Sequence, residues 1–298
     1  MYIYIMTDQQ FNDYLDSNTQ LAERTIQSYS NTFTKFENMS KNILTASQTN
    51  IINYIDEYDA STNTKLAMIN VVINMRKHYD KEFNKITNRK LQLADDYQQI
   101  KNNIKEEKKG ELPTSKQLIA HENRLYLDGE WTGFIIVHLM RQLSTRNKDL
   151  DLKILPANRS QRKGVAGDKN NYLIIRSNNA QVIRNNYKTF KQYGQKKNLV
   201  PSRKLNRAVK EMIAERDLEL GKDEINLLST KGGRKLNEES IAKKIRAYTF
   251  RGLSESDYNK IFVSEFAEMK DLKRLKKISD NRGTSLEVLL KEYHLDGL

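Results

Sequence analysis

Tyr172-Leu-Ile-Ile-Arg-Ser-Asn-Asn-Ala180-Gln-Val-Ile-Arg184 is the stretch that decides the fold class. Two short runs rich in leucine, isoleucine and valine flank the turn-forming Ser-Asn-Asn, so the segment predicts an antiparallel hairpin. Lys197-Asn-Leu-Val200, closed by Pro201, predicts a third strand. The turn before it holds Tyr187-Lys188-Thr189-Phe190-Lys191-Gln-Tyr193-Gly194. Residues 172–200 are the only clear β region. The expected class is therefore mainly α with a small antiparallel β-hairpin or three-stranded sheet (α+β).

Helical patterns surround the hairpin. Trp131-Thr-Gly-Phe134-Ile-Ile-Val-His138-Leu-Met140 reads as a buried helix in which His138 is a packed core residue rather than a ligand. Further helices are expected near 115–127, 203–216, 237–247, 255–268, 270–278 and 285–293. Upstream, Ile26, Tyr29, Phe33 and Phe36 fall on one helical face. Thr45-Ala-Ser-Gln starts a second helix carrying Ile51, Ile52, Tyr54 and Ile55. Ser61-Thr-Asn-Thr caps a third, with Leu66, Ile69, Val72, Ile73 and Arg76. These helices form a bundle of domain size. Residues 80–109 are charged and predict a long helix, broken at Gly110-Glu-Leu-Pro113-Thr-Ser115. Two domains are expected, 1–105 and 111–298. The Lys231-Gly-Gly-Arg234-Lys turn lacks the spacing of a phosphate loop and reads as an ordinary loop that touches DNA.

Composition narrows the functions. The chain has 298 residues and a net charge of +13, unevenly placed. Residues 1–110 hold 14 basic and 14 acidic side chains, whereas 111–298 hold 37 and 24. From Lys169 to Lys210 there are 11 lysines or arginines and no acidic residue. Such asymmetry points to a polyanion met by the C-terminal part. There is no cysteine, which excludes disulfides, thiolate metal sites and a cysteine nucleophile, and the four histidines are scattered. No metal or other cofactor is expected. Neither a signal peptide nor an apolar run of membrane-spanning length is found, so an intracellular, soluble protein is expected.

Three residues in order carry a chemistry: Arg146 in Ser-Thr-Arg146-Asn-Lys-Asp-Leu, Lys188 in the turn beyond strand 180–184, and Tyr293, ten residues after Gly283 in Arg282-Gly-Thr-Ser-Leu-Glu-Val-Leu-Leu-Lys-Glu-Tyr293. Cleavage of a phosphodiester by tyrosine is a transesterification. A free phenol, with a pKa of about 10, is ionised to only ~10⁻³ at neutral pH, so cationic donors must stabilise the developing charge. An arginine fork suits the two non-bridging phosphate oxygens. A lysine near the leaving oxygen can donate a proton. Lys191, Tyr193, Lys196, Lys197, Arg184 and Arg203 are candidate contacts to the DNA backbone or stacked bases.

In this order and spacing the chain resembles the tyrosine recombinase, or phage-type integrase, superfamily. The Thr-x-x-x-Tyr-x-x-x-Phe opening at Thr25 is similar to its helical core-binding domain. Thr-Arg146-Asn-Lys-Asp-Leu is similar to its first-arginine motif, Tyr187-Lys188-Thr189 to its hairpin lysine, and Arg282-Gly283-Thr284-Ser285 with Tyr293 to its Leu-Gly-His-Ser segment and nucleophile. The wording looks closest to recombinases of large DNA viruses, virophages and related mobile elements. The resemblance, spanning roughly residues 20–298, implies site-specific recombination or integration of double-stranded DNA through a 3′-phosphotyrosyl intermediate. It also implies a homo-oligomer on DNA, dimer to tetramer, in a host cell or virion.

The sequence departs from the pattern at the family's His-x-x-Arg box. The corresponding window, Ser256-Asp-Tyr258-Asn-Lys260-Ile-Phe262, holds neither residue. Lys260 is one substitute for the second cation, with Tyr258 at the histidine place. Arg282 is another, and Arg251 a more distant one. Thr284 stands at the third histidine position and offers a neutral donor. The alternatives are a catalytically degenerate DNA-binding protein, a type IB topoisomerase-like enzyme, or a basic helical interaction protein.

Overall fold

The computed structural model of the protein describes every residue except 1, 19, 20, 22, 40, 41, 159–167, 223, 231–233 and 296–298. Lys231, Gly232 and Gly233 of the expected Gly-Gly turn thus lie outside the described residues. The chain divides into two units, Met1–Glu107 and Lys108–Leu298.

The first unit is helical: α1 (Tyr2–Ser17), α2 (Glu23–Phe33), α3 (Gln48–Glu57), α4 (Thr62–His78) and the start of α5 (Asn84–Lys109). Ser47 and Ser61 cap α3 and α4, accepting from the backbone N–H of Asn50 and Thr64. Phe33, Phe36, Ile51, Ile55, Ile69 and Val72 are buried, as their spacing requires. Phe11 of α1, a helix the sequence reading did not place, stacks on Phe33 with ring centroids 4.1 Å apart. Arg76, which shares α4 with the apolar residues, is buried as well. Its guanidinium donates to the carbonyls of Ile43 and Ala46, so its burial leaves no orphaned charge on that edge.

The second unit combines helices with a five-stranded mixed sheet. It contains α6 (Ser115–Leu127), α7 (Trp131–Leu143), β1 (Leu152–Pro156), β2 (Asn171–Ile175), β3 (Ala180–Arg184), α8 (Phe190–Tyr193), β4 (Lys196–Val200), α9 (Arg203–Glu215), β5 (Ile225–Asn226), α10 (Glu238–Tyr248), α11 (Glu255–Glu268), α12 (Leu272–Arg282) and α13 (Leu286–Tyr293). Strand order is β4-β3-β2-β1-β5. The expected hairpin and third strand are present, and two further strands extend the sheet. β2, β3 and β4 are antiparallel neighbours, but β1 joins β2 in parallel and β5 closes the edge. β1 is short and ends in proline and β5 has two residues, so neither gives a periodic signal.

The core lies between α7 and the sheet. Phe134, Ile135, Ile136, Val137, Leu139 and Met140 are buried with Leu173 and Val182 from the strands and Leu205, Val209 and Met212 from α9. Burying each such side chain contributes roughly 1.5–3 kcal/mol. All five residues of β2 are buried, which makes the hairpin a fixed base for the loop that follows it.

Candidate active site

α12 ends where its backbone turns left-handed at Gly283, with φ +59°. Glycine is required there twice over. The conformation disfavours a side chain, and a Cβ would run into Thr189 Oγ1 and lie 3.1 Å from the Tyr193 ring. The turn therefore packs directly on the loop that carries Lys188. Ser285 then caps α13, accepting from the N–H of Val288. Two helical turns later Tyr293 has come back over the end of α12.

There the Tyr293 ring lies 4.7 Å from the centre of the Arg282 guanidinium, and Arg282 Nη2 donates to the Tyr293 hydroxyl at 2.6 Å. Arg282 is 2% exposed. Its Nη1 donates to the carbonyl of Ser144 at 3.0 Å, and its Nη2 also meets Glu255 Oε1 at 2.8 Å. Arg146 enters from the segment after α7, and its Nη1 donates to the Arg282 carbonyl at 2.7 Å. Burial lowers the proton affinity of the Arg146 guanidinium, and the Arg282 charge lowers it further, while Asp149, Tyr293 and Glu255 act in the opposite sense. Two guanidinium groups, one phenol and one carboxylate thus meet in one place.

Beneath them, a polar chain ties the hairpin to α12. Asp149 accepts from the Arg146 backbone N–H at 3.1 Å and from Arg184 Nη1 at 2.9 Å. Arg184 Nη2 donates to Asn198, and Asn198 donates to Asn281, next to Arg282. Lys196 donates to the carbonyl of Asp280 at 2.8 Å. Arg184 and Asp149 side chains are both 0% exposed, so the expectation that Arg184 contacts DNA is corrected. The alternation of Ala180, Val182 and Arg184 puts the arginine on the face that packs against the main core, a signal the sequence carried.

Lys188 is exposed on the loop, beside buried Tyr187, whose hydroxyl donates to the Gly194 carbonyl. Lys191, Tyr193, Lys197 and Arg203 are exposed on the same stretch, with Lys196 Nζ 5.1 Å from the Tyr193 ring centroid. Lys260 is drawn instead to Asp257 on its own helix at 3.5 Å. No hydrogen bond or ion pair among the described residues joins it to Tyr293, Arg146 or Arg282. Of the two substitutes for the second cation, the structure brings Arg282, not Lys260, to the phenol. Tyr258 is buried, which raises its pKa strongly, with the Glu122 charge adding to the rise and Arg141 opposing it. Arg251 is exposed and lies over Phe250, also outside the cluster. Thr284 is half-buried in the turn, its carbonyl accepting from Ser279 Oγ.

Sequence reasoning missed Glu255 and Asn259. Asn259 Nδ2 donates to the Glu255 carbonyl at 2.9 Å and approaches its carboxylate at 3.3 Å. Both residues belong to α11, but nothing local to Glu255 announces that its partner is Arg282.

Behind the site, His138 is packed as expected. Its Nδ1 pairs with Glu122 at 2.8 Å, and Arg141 grips the same carboxylate with bonds of 2.6 and 2.8 Å. Burial alone would push the Glu122 carboxyl up, but the bonds from Arg141 and His138 outweigh it and hold it at about 2. Among the described residues no three His, Cys, Asp or Glu side chains gather as a metal site, and no helix is long and apolar enough to cross a membrane.

No protein-family model and no curated protein matches the sequence. Among solved structures, the chain is similar to the crystal structure of XerA recombinase. The sequences are 12% identical, the TM-score is 0.42, and the alignment covers 98% of this chain and 95% of that one.

Proposed function

We propose that this chain breaks and rejoins DNA strands with Tyr293 as the nucleophile, as in site-specific recombination or integration. The observation that carries the reading is the 2.6 Å bond from buried Arg282 to the hydroxyl of Tyr293, with Arg146 donating to the backbone carbonyl of Arg282. A buried guanidinium aimed at a phenol serves a reaction in which that oxygen and its surroundings gain negative charge.

The Tyr293 oxygen attacks phosphorus, its proton passing to water. Arg146 and Arg282 hold the non-bridging oxygens, and Thr284 adds a neutral donor. The bond from phosphorus to the 5′-oxygen breaks as Lys188 protonates that oxygen. The products are a 3′-phosphotyrosyl link and a free 5′-hydroxyl. Attack by a 5′-hydroxyl of another strand reverses the step. The covalent link preserves the bond energy, so neither ATP nor a metal ion enters the scheme. Exposed Lys191, Tyr193, Lys197 and Arg203 grip the backbone, and the helical N-terminal unit acts as a core-binding domain on duplex DNA. Pairing two sites requires a homo-oligomer, dimer to tetramer.

The test is a nicked suicide duplex, whose short cleaved strand diffuses away and traps the intermediate. The expected outcome is an adduct resistant to SDS with the wild-type chain and none with Tyr293→Phe. The pairing of Lys260 with Asp257 favours a second reading, a DNA-binding protein on a degenerate scaffold. Salt-dependent duplex binding without an adduct on any member of a randomised duplex library would establish that reading and remove the first.

A further inference from the structure

We infer that Glu255 occupies, in the DNA-free protein, the position that a non-bridging oxygen of the scissile phosphate takes during cleavage, so that carboxylate and phosphate exchange on one arginine. This rests on the proposed strand cleavage for the identity of the phosphate.

The argument starts from the contacts of Arg282. Its Nη2 donates to the Tyr293 hydroxyl and forms an ion pair with Glu255 Oε1, 2.8 Å away. The guanidinium cannot turn to offer a different edge. Nη1 is held by the Ser144 carbonyl, the Arg282 main chain is held by Arg146, and the group is 2% exposed. For Tyr293 to attack, its oxygen and the phosphorus must come within about 3 Å. A non-bridging oxygen of that phosphate then lies within reach of the nitrogen that touches the phenol. That same nitrogen is the one paired with Glu255. A carboxylate and a phosphate present the same feature to an arginine fork, a pair of anionic oxygens.

Glu255 is also built to leave. Its side chain is 16% exposed, and it stands in the first turn of α11, held otherwise by the 3.3 Å approach of Asn259. The Asp149–Arg184 pair in the same unit differs in each respect, with both members fully enclosed.

A tethered carboxylate competes at an effective concentration in the millimolar range or above. A phosphate without further contacts is therefore kept out. One within duplex DNA, helped by the basic loop, displaces it. Glu255 thus sets a threshold that favours fully docked DNA.

The experiment titrates inorganic phosphate into full-length wild type, Glu255→Gln and Glu255→Ala. The readout is the NMR signal of the Arg282 Nε–H, assigned by its loss in Arg282→Lys, with thermal melting to confirm folding. Glutamine keeps the shape of the side chain and removes the charge. The expected result is phosphate binding at Arg282 at least tenfold tighter in both variants, and a several-fold lower half-saturating duplex concentration in the suicide-substrate assay. Phosphate affinity unchanged or weaker in Glu255→Gln overturns the inference and makes Glu255 a fixed partner that positions Arg282. Half-saturation that does not fall, in a wild-type background that cleaves, overturns it too. Tighter phosphate binding with no adduct from any form, wild type included, upholds the exchange at Arg282 and removes strand cleavage instead.

Discussion

Arg184 and Arg282 are both buried arginines paired with a carboxylate, yet they sit in regions of opposite character. Arg184 lies inside the sheet, and its partner Asp149 has no route to solvent. Arg282 lies at the end of α12, and its partner Glu255 is partly open to the surface, beside a tyrosine hydroxyl. Burial of a charge is thus not a mark of function in itself. What separates the two is whether the anion opposite can be replaced.

The sharpest break of this comparison is Arg184→Ala. It strands the enclosed Asp149 charge and is expected to cost about 3–5 kcal/mol in urea unfolding. Arg282→Ala leaves a carboxylate that water can reach, so the expected stability loss is about 1–2 kcal/mol. Its larger effect is on adduct formation, expected to fall about 10²–10³-fold, the usual consequence of removing one donor to a developing oxyanion. Equal stability losses for the two variants would erase the distinction.

The Glu122 cluster extends the comparison to pH. A carboxyl held at about 2, against an ordinary 4.5, stabilises the native state while ionised. That contribution is complete above about pH 4.5 and is lost as pH falls toward 2. It amounts to on the order of 3 kcal/mol. Glu122→Gln should flatten the acid limb of a stability–pH curve over that window, and an unchanged limb would refute the assignment. The smallest expected effect is that of Gly283→Ala. A left-handed residue that gains a Cβ against Thr189 should lose about 1–2 kcal/mol and slow adduct formation, because the Lys188 loop must shift to make room. A variant as stable as wild type would show that turn and loop are independent.

The hairpin was legible because its two apolar runs and the Ser-Asn-Asn turn between them are local signals. β1 and β5 were not, since a five-residue strand ending in Pro156 and a two-residue strand are defined by the neighbour they pair with. The turn at Gly283 and its distance from Tyr293 could be read because helix spacing brings the phenol back over the end of α12. The choice between Lys260 and Arg282 could not. Both are cations near the expected place, and only packing shows that Asp257 draws one away while the Ser144 carbonyl pins the other. Arg184 was misread because a basic residue in a basic stretch looks solvated until its partner, Asp149, is known, although its alternation with Ala180 and Val182 already put it on the core face. Glu255 was invisible for the same reason in reverse: its meaning lies wholly in Arg282.

The bond from Arg146 to the Arg282 carbonyl joins residues 136 positions apart, and the bond from Arg282 to Ser144 spans 138. Closing a flexible loop of that length costs about 4 kcal/mol of chain entropy, beyond a constant. Local elements such as the hairpin have no such debt and form early, while long-range closures come late. On the proposed function, a half-folded chain would carry the basic surface that attracts DNA without an armed nucleophile. Cutting would then be withheld until folding is complete, a safeguard written into chain order rather than into any single residue.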